Sequence, residues 1–333
     1  MLRMGVVGYG YWGPNIVRNF YSLQGTTVSI ICDRDESSRR RAQQAFPHIR
    51  VTSDYNEILQ ARDIEAVAIV TPVSTHFPLA KKALERGKHV FLEKPFTATA
   101  AEGEELLELA AQKGLHIMVD HTFLFTGAVR KMKEIIDADV LGKLFYYDST
   151  RVNLGLFQHD VNVIWDLAPH DFAIMDHIIP HKPQAVVATG QSHFNGLEDI
   201  AYITVYFDEC LIAHFNVNWL SPVKVRTTLV GGEKKMLVWN DVTADEKIKV
   251  YDKGVQVETK EGVYNLLMNY RSGDMHAPRI EPKEALQLEV EHFRDCLLNG
   301  TKPINDGHAG LRVVRMLEAA DKSLKNRGQI VYL

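Results

Sequence analysis

Val6-Val7-Gly8-Tyr9-Gly10-Tyr11-Trp12-Gly13 spaces three glycines as G-x-G-x-x-G directly after a short apolar run. In such a turn the first glycine permits the sharp bend and the second lets backbone approach a pyrophosphate. The third allows a following helix to pack closely, with its N-terminus facing the phosphates. The next apolar run ends in Cys32-Asp33, which puts an acid twenty residues beyond Gly13. That is the distance at which a carboxylate holds the adenosine ribose hydroxyls of a bound dinucleotide. A third candidate is Glu93-Lys94-Pro95, at the end of the apolar run Phe91-Leu92. In a parallel sheet, ligands bind at the carboxyl ends of strands, so Lys94 is expected beside a nicotinamide.

The acid at position 33 would repel a 2′-phosphate, which favours NAD. Arg34 follows at once, however, and Arg39 and Arg40 are near, so arginine clamping a 2′-phosphate keeps NADP open. Tyr11 and Trp12, inside the glycine loop, are counted with Gly8, Gly10, Gly13, Asp33 and Arg34 as cofactor-contacting residues.

These groups need a frame to position them. Leu2 to Gly8 reads as a strand, Pro14 to Leu23 as a helix and Thr27 to Cys32 as a strand, which makes a βαβ unit. The alternation continues through helices at Arg39–Phe46, Phe77–Arg86 and Ala100–Gln112. Strands are expected at Ala66–Val70, His89–Leu92 and Ile117–Val119. Strands alternating with helices predict a doubly wound parallel sheet, a Rossmann α/β domain over residues 1–120.

The texture changes after residue 120. A helix at Gly127–Ile136 precedes strand-like runs at 145–151, 185–189, 201–207, 211–219, 225–231, 236–238 and 248–251. Turns such as Asp208-Glu209 and Gly231-Gly232 separate several of them. This predicts a second domain over residues 121–333, of α+β type, with a large and mostly antiparallel open sheet arranged as a meander and helices at Glu284–Leu298 and Gly310–Asn326. Covering the open face of such a sheet is a reason to expect a homodimer or homotetramer.

At this point the sequence resembles the Gfo/Idh/MocA (glucose-fructose oxidoreductase / inositol dehydrogenase) family. The resemblance rests on Thr71-Pro72 with His76, on Glu93-Lys94-Pro95, and on Trp165-Asp166-Leu167-Ala168-Pro169-His170-Asp171, in that order behind the glycine fingerprint. It implies that Lys94, Asp166 and His170 form the catalytic group, and that Thr71, Pro72, His76 and Glu93 lie along the cofactor. Oxidising a secondary alcohol requires removal of its hydroxyl proton as hydride leaves, and histidine titrates in the range suited to that task. Lys94 would stabilise the developing alkoxide, and Asp166 and His170, at i and i+4, would share a face if the stretch is helical. Asp171 or Asp176 could take the role of Asp166. His121, Arg151, Asn153 and Gln158 are candidates for fixing sugar hydroxyls.

The resemblance further implies hydride exchange between NAD(P) and a sugar alcohol or ketone. The Gly-Tyr-Trp-Gly-Pro-Asn start and the stretch from Arg151 to Asp171 look most like members acting at C3 of nucleotide-linked sugars, such as a UDP-N-acetylhexosamine or its uronate. Lys131, Lys133 or Arg271 would then meet the diphosphate. An inositol or free-sugar dehydrogenase is the alternative, and a cofactor-sensing regulatory protein is the non-enzyme alternative. The intact Lys94, Asp166 and His170 argue against the regulatory role, because a binding module has no need of a proton acceptor there.

Composition bounds the rest. The chain has 333 residues with 46% hydrophobic and 24% charged residues, enough for two full cores. A formal charge of −4 gives no basic stripe for nucleic acid. Cys32, Cys210 and Cys296 are far apart and form no C-x-x-C pair, and no H-E-x-x-H or similar spacing suggests a metal. With no signal-peptide pattern and no long apolar stretch, a cytoplasmic protein without membrane spans is expected.

Overall fold

The computed structural model describes residues 1–155, 157–159, 161–208, 210–257 and 268–333. Glu209, in one of the expected turns, lies outside them. The chain divides into two compact units, 1–126 with 283–315, and 127–282 with 316–333.

In the first unit, β1 (Leu2–Val7), β2 (Thr26–Cys32), β3 (Arg50–Thr52), β4 (Ala66–Ile69), β5 (His89–Glu93) and β6 (Ile117–Asp120) form a parallel sheet in the order β3-β2-β1-β4-β5-β6. The helices α1 (Gly13–Ser22), α2 (Glu36–Ala45), α3 (Tyr55–Gln60), α4 (His76–Glu85) and α5 (Ala100–Lys113) connect the strands. Every residue of β4 is fully buried, which explains its unbroken apolar run: a strand covered on both faces has no polar side to alternate. Strand order reverses between β1 and β4, the place where a crevice opens above the strand ends. The three-residue β3 and the six-residue α3 were not expected, because neither is long enough to show a period.

Helix α8 (Ala285–Asn299) packs with this first unit, although the sequence places everything after residue 120 in a second domain. The reason is burial. Phe293 joins Phe20 and Phe91 in a set of edge-to-face rings, with centroids 5.6 Å apart for Phe91–Phe293 and 5.5 Å for Phe20–Phe91. The Asn305 amide also donates to the Val119 carbonyl at 2.6 Å. Helix α9 (Gly307–Lys325) follows.

The second unit holds α6 (Gly127–Asp137), α7 (Val163–Ile178) and a mixed sheet. Its strands are β7 (Leu144–Leu154), β8 (Pro183–Gln191), β9 (Ile200–Phe207), β10 (Ile212–Asn218), β11 (Leu220–Gly232), β12 (Met236–Asn240), β13 (Ile248–Val257), β14 (Met268–His276) and β15 (Val331–Tyr332). Among the described residues the order is β14-β13-β12-β11-β7-β10-β9-β8-β15. This is not the expected simple meander: β7 lies between β11 and β10, and runs parallel to β10. Strand β8, reached through α7, points the same way as β7, and the β8-β9-β10 hairpins then return β10 in that direction.

The alternation in β9 shows which face α7 covers. Ala201, Ile203 and Val205 are buried, while Tyr202 and Tyr206 are 46% and 39% exposed on the other face. Phe172 of α7 meets Phe215 of β10 edge-to-face at 4.9 Å.

Candidate active site

The three glycines of the loop do three different jobs. Gly8 has φ +98°, and a Cβ there would fall 2.1 Å from the Val70 carbonyl oxygen, so only glycine fits. A Cβ on Gly13 would fall 2.4 Å from the Gly8 carbonyl oxygen. Gly10, by contrast, is exposed with nothing within 4 Å of a built Cβ, leaving clear space for a ligand to approach the backbone. Helix α1 begins at Gly13 with no side-chain cap; Pro14 carries no N–H and the Asn15 N–H meets the Trp12 carbonyl at 2.9 Å, so an anion at this end would meet the loop backbone around Gly10 and Gly13. The loop therefore fits a pyrophosphate.

Asp33, at the end of β2, accepts from the Tyr9 N–H on Oδ2 at 2.6 Å and from the Asp35 N–H on Oδ1 at 2.8 Å. It thus ties the glycine loop to the second strand. Three nearby arginines are engaged with backbone or with an acid. Arg39 donates to the Asp33 and Arg34 carbonyls at 2.9 and 2.7 Å, Arg41 donates to the Tyr9 carbonyl at 3.1 Å, and Arg40 pairs with Glu36. Arg34 is exposed, and so is Tyr11, at 94%. Trp12 is half-buried and its indole N–H donates to Asp120 Oδ2 at 3.0 Å.

At the ends of β4 and β5, His76 is fully buried, with Nε2 2.8 Å from the Thr71 carbonyl oxygen and Nδ1 2.9 Å from that of Pro95. It clamps two loops together, and Thr71 and Thr75 share a hydroxyl contact of 2.7 Å. Pro72 is exposed at the rim. Glu93 accepts from the Lys94 N–H at 2.7 Å and lies opposite Asp120 in the β5/β6 register, with the Lys94 side chain half-buried next in sequence.

Burial pushes the Glu93 carboxyl well above the usual range, and the Asp120 charge pushes it further. His121, 2% exposed, has neither ring nitrogen hydrogen-bonded within the described residues. Burial, with the Lys94 charge adding to it, pulls its pKa down to about 3, so it is a neutral ring.

In the second unit, Asn162 caps α7 by accepting from the Trp165 N–H at 3.2 Å. Asp166 and His170 follow at i and i+4 on the helix, both half-buried, as the spacing predicts. Between them Pro169 removes the N–H that would bond the Trp165 carbonyl. Trp219, itself 2% exposed, donates its indole N–H to Asp166 Oδ2 at 3.0 Å, and its ring lies 5.4 Å from that of Phe157. Asp199 and Trp219 were not foreseen, although a tryptophan closing a strand is a common aromatic wall. The Asp199 carboxylate holds His193 at 2.7 Å, and its carbonyl accepts the Trp219 N–H.

Arg151 departs from the expectation. It is 5% exposed and donates Nε and Nη2 to the two Asp171 oxygens at 2.6 and 3.0 Å, so it fastens β7 to α7 instead of meeting a substrate. Asp171 is committed by the same pair and is not available to replace Asp166. Asn153 is exposed and Gln158 half-buried, with the Gln158 carbonyl accepting from Asn195 at 3.1 Å. Lys131 and Lys133 pair along α6 with Glu134 and Asp137. The Arg271 side chain lies outside the described residues. Among the described residues no group of three or more His, Cys, Asp or Glu is arranged to hold a metal ion, and no helix is long and apolar enough to cross a membrane.

Comparison with known proteins agrees with this arrangement. The model of an oxidoreductase family with an NAD-binding Rossmann fold matches residues 2–121, and a GFO/IDH/MocA C-terminal domain matches residues 129–238. The scyllo-inositol 2-dehydrogenase (NAD(+)) of Bacillus subtilis (strain 168) is 26% identical over 91% of this chain and 87% of its own. Uncharacterized oxidoreductase YdgJ of Escherichia coli (strain K12) is 31% identical, over 51% of each chain. In structure, UDP-N-acetylglucosamine 3-dehydrogenase GnnA from Acidithiobacillus ferrooxidans shares the fold, with a TM-score of 0.81 over 98% of this chain and 99% of its own at 20% identity.

Proposed function

Because the chain belongs to the GFO/IDH/MocA family of oxidoreductases, with its NAD-binding Rossmann domain, we propose that it transfers hydride between NAD and a secondary alcohol or ketone of a sugar, at C3 of a nucleotide-linked sugar. The observation that carries the cofactor half is the open backbone at Gly10 above an uncapped helix N-terminus, with Asp33 alongside. When bound, the nicotinamide supplies the hydride acceptor or donor.

The chain supplies the proton chemistry. His170 takes the hydroxyl proton in the oxidative direction and returns it in reduction. Asp166, oriented by Trp219, sits one turn before it, and Lys94 stabilises negative charge on the sugar oxygen. The unpartnered, neutral ring of His121 suits it to accept from or donate to a bound hydroxyl, and Asn153 and Gln158 are the remaining polar candidates. Arg39 and Arg41 are already engaged with carbonyls, which favours NAD over NADP.

The nucleotide-sugar assignment is supported by the likeness to UDP-N-acetylglucosamine 3-dehydrogenase, 23% identical over 94% of both chains. The inositol alternative is supported by the scyllo-inositol 2-dehydrogenase likeness. NADH formation with UDP-N-acetylglucosamine, its uronate, inositols and free sugars separates them: turnover of inositols alone would remove the nucleotide sugar. The face carrying Tyr202, Tyr206 and Ile212 supports a homodimer or homotetramer, which a monomer in sedimentation would refute, and the proposed cytoplasmic location would be refuted by recovery outside the cytoplasmic fraction.

A further inference from the structure

Three carboxyl groups converge at the ends of β5 and β6. Glu93 faces Asp120 across the strand pair, and Glu289 of α8 neighbours Asp120, close enough for the Glu93 charge to act on it too. Asp120 is 2% exposed, and each of its oxygens accepts one hydrogen bond: Oδ2 takes the Trp12 indole N–H at 3.0 Å and Oδ1 takes the Thr122 hydroxyl, which leaves a further lone pair on each. Glu289 is fully buried. Its Oε1 accepts from the Asn305 amide at 2.9 Å, while Oε2 has no donor among the described residues. Two carboxylate acceptors facing each other in a dry interior repel, and only a proton turns that contact into a hydrogen bond. Lys94 is the one positive charge acting on Glu93 within this group, and the other neighbours, Trp12, Thr122, Asn305 and the neutral His121, carry none.

We propose that Glu289 is a positioning residue for the cofactor loop, sharing a proton with Asp120 so that Asp120 holds Trp12 and the loop behind Gly10 in the binding arrangement. This rests on the assignment of the glycine loop to NAD, but not on the sugar. The proton belongs to the cluster as a whole, since strongly interacting acids titrate together. Burial and the neighbouring Asp120 charge both raise the Glu289 carboxyl well above its usual range, in keeping with a retained proton. Raising the pH removes the proton, drives the carboxylates apart and frees Trp12. NADH affinity then falls on the alkaline side.

The test is NADH fluorescence titration from neutral into alkaline pH on the full chain and on Glu289→Gln, whose amide N–H replaces the shared proton. The wild type is expected to lose about tenfold or more in affinity as pH rises, and E289Q to keep its neutral-pH affinity throughout, a difference of about 1.4 kcal/mol or more. Infrared spectra of the wild type at neutral pH should show the carbonyl band of a buried carboxylic acid, a readout that does not depend on the variant folding. An E289Q pH profile superimposable on that of the wild type, or no such band in the wild type, overturns the proposal. Because no sugar is used, failure of the substrate assignment leaves this result unaffected.

Discussion

The Tyr9 N–H donates to Asp33 Oδ2 at 2.6 Å, so the acid that would hold a ribose is also a strut of the glycine loop. Asp33→Ala therefore removes two things at once. The expected result is a loss of NAD affinity of tenfold or more, at about 1.5–3 kcal/mol for a charged hydrogen bond, and a narrower preference for NAD over NADP. Isothermal titration with both cofactors checks it. Equal binding of each before and after the change would remove Asp33 from the site.

Trp219 fixes Asp166 through a single indole N–H at 3.0 Å. Trp219→Phe keeps most of the ring and removes that donor. Turnover is expected to fall about tenfold, the size of one hydrogen bond to a charged group. In a double-mutant cycle with Asp166→Asn the two losses should be less than additive. Full additivity would mean that the contact does not orient Asp166.

The Arg151–Asp171 pair is buried and bidentate. Removing one partner leaves the other charge buried without its bidentate counterpart, so Asp171→Ala should cost about 3–5 kcal/mol of stability, and Arg151→Met a similar amount. Chemical denaturation measures this. An arginine that meets only substrate would instead leave stability unchanged and raise KM.

His121 has its pKa lowered to about 3 by burial and by Lys94, so the folded state keeps it neutral while the unfolded chain binds a proton near its ordinary value of about 6.5. The unfolded state therefore binds more protons across that window. The contribution of His121 to stability is present above about pH 6.5 and is lost as pH falls toward 3. His121→Phe should flatten this acid-side fall in Tm. An unchanged slope between those pH values would contradict a neutral buried ring.

Much of the first unit was legible because its chemistry is local. Gly8 and Gly13 are dictated by a bend and a close approach within a few residues, and Asp33 by a fixed count along one βαβ unit. The α7 spacing of Asp166 and His170 was equally local. Arg151 was misjudged because its partner lies across a strand–helix contact. Even so, the two-residue period from Tyr147 through Ser149 to Arg151, all buried, places it on the covered face of β7 and would have warned against a ligand role. The roles of Asp120, Glu289 and Trp219 depend on which distant segments meet, and no spacing announces them. The return of α8 to the first unit was hidden for the same reason: an apolar stripe on a helix does not say which core it fills.

Hydride transfer from a sugar carbon is tested most directly by isotope transfer. UDP-N-acetylglucosamine deuterated at C3 is incubated with NAD and the wild-type chain, with His170→Ala as control, and the cofactor is weighed by mass spectrometry. Deuterium is expected in the reduced nicotinamide from the wild type, with the rate in H170A lower by about 100-fold or more. Reduced cofactor without deuterium, or an H170A rate equal to that of the wild type, would contradict it.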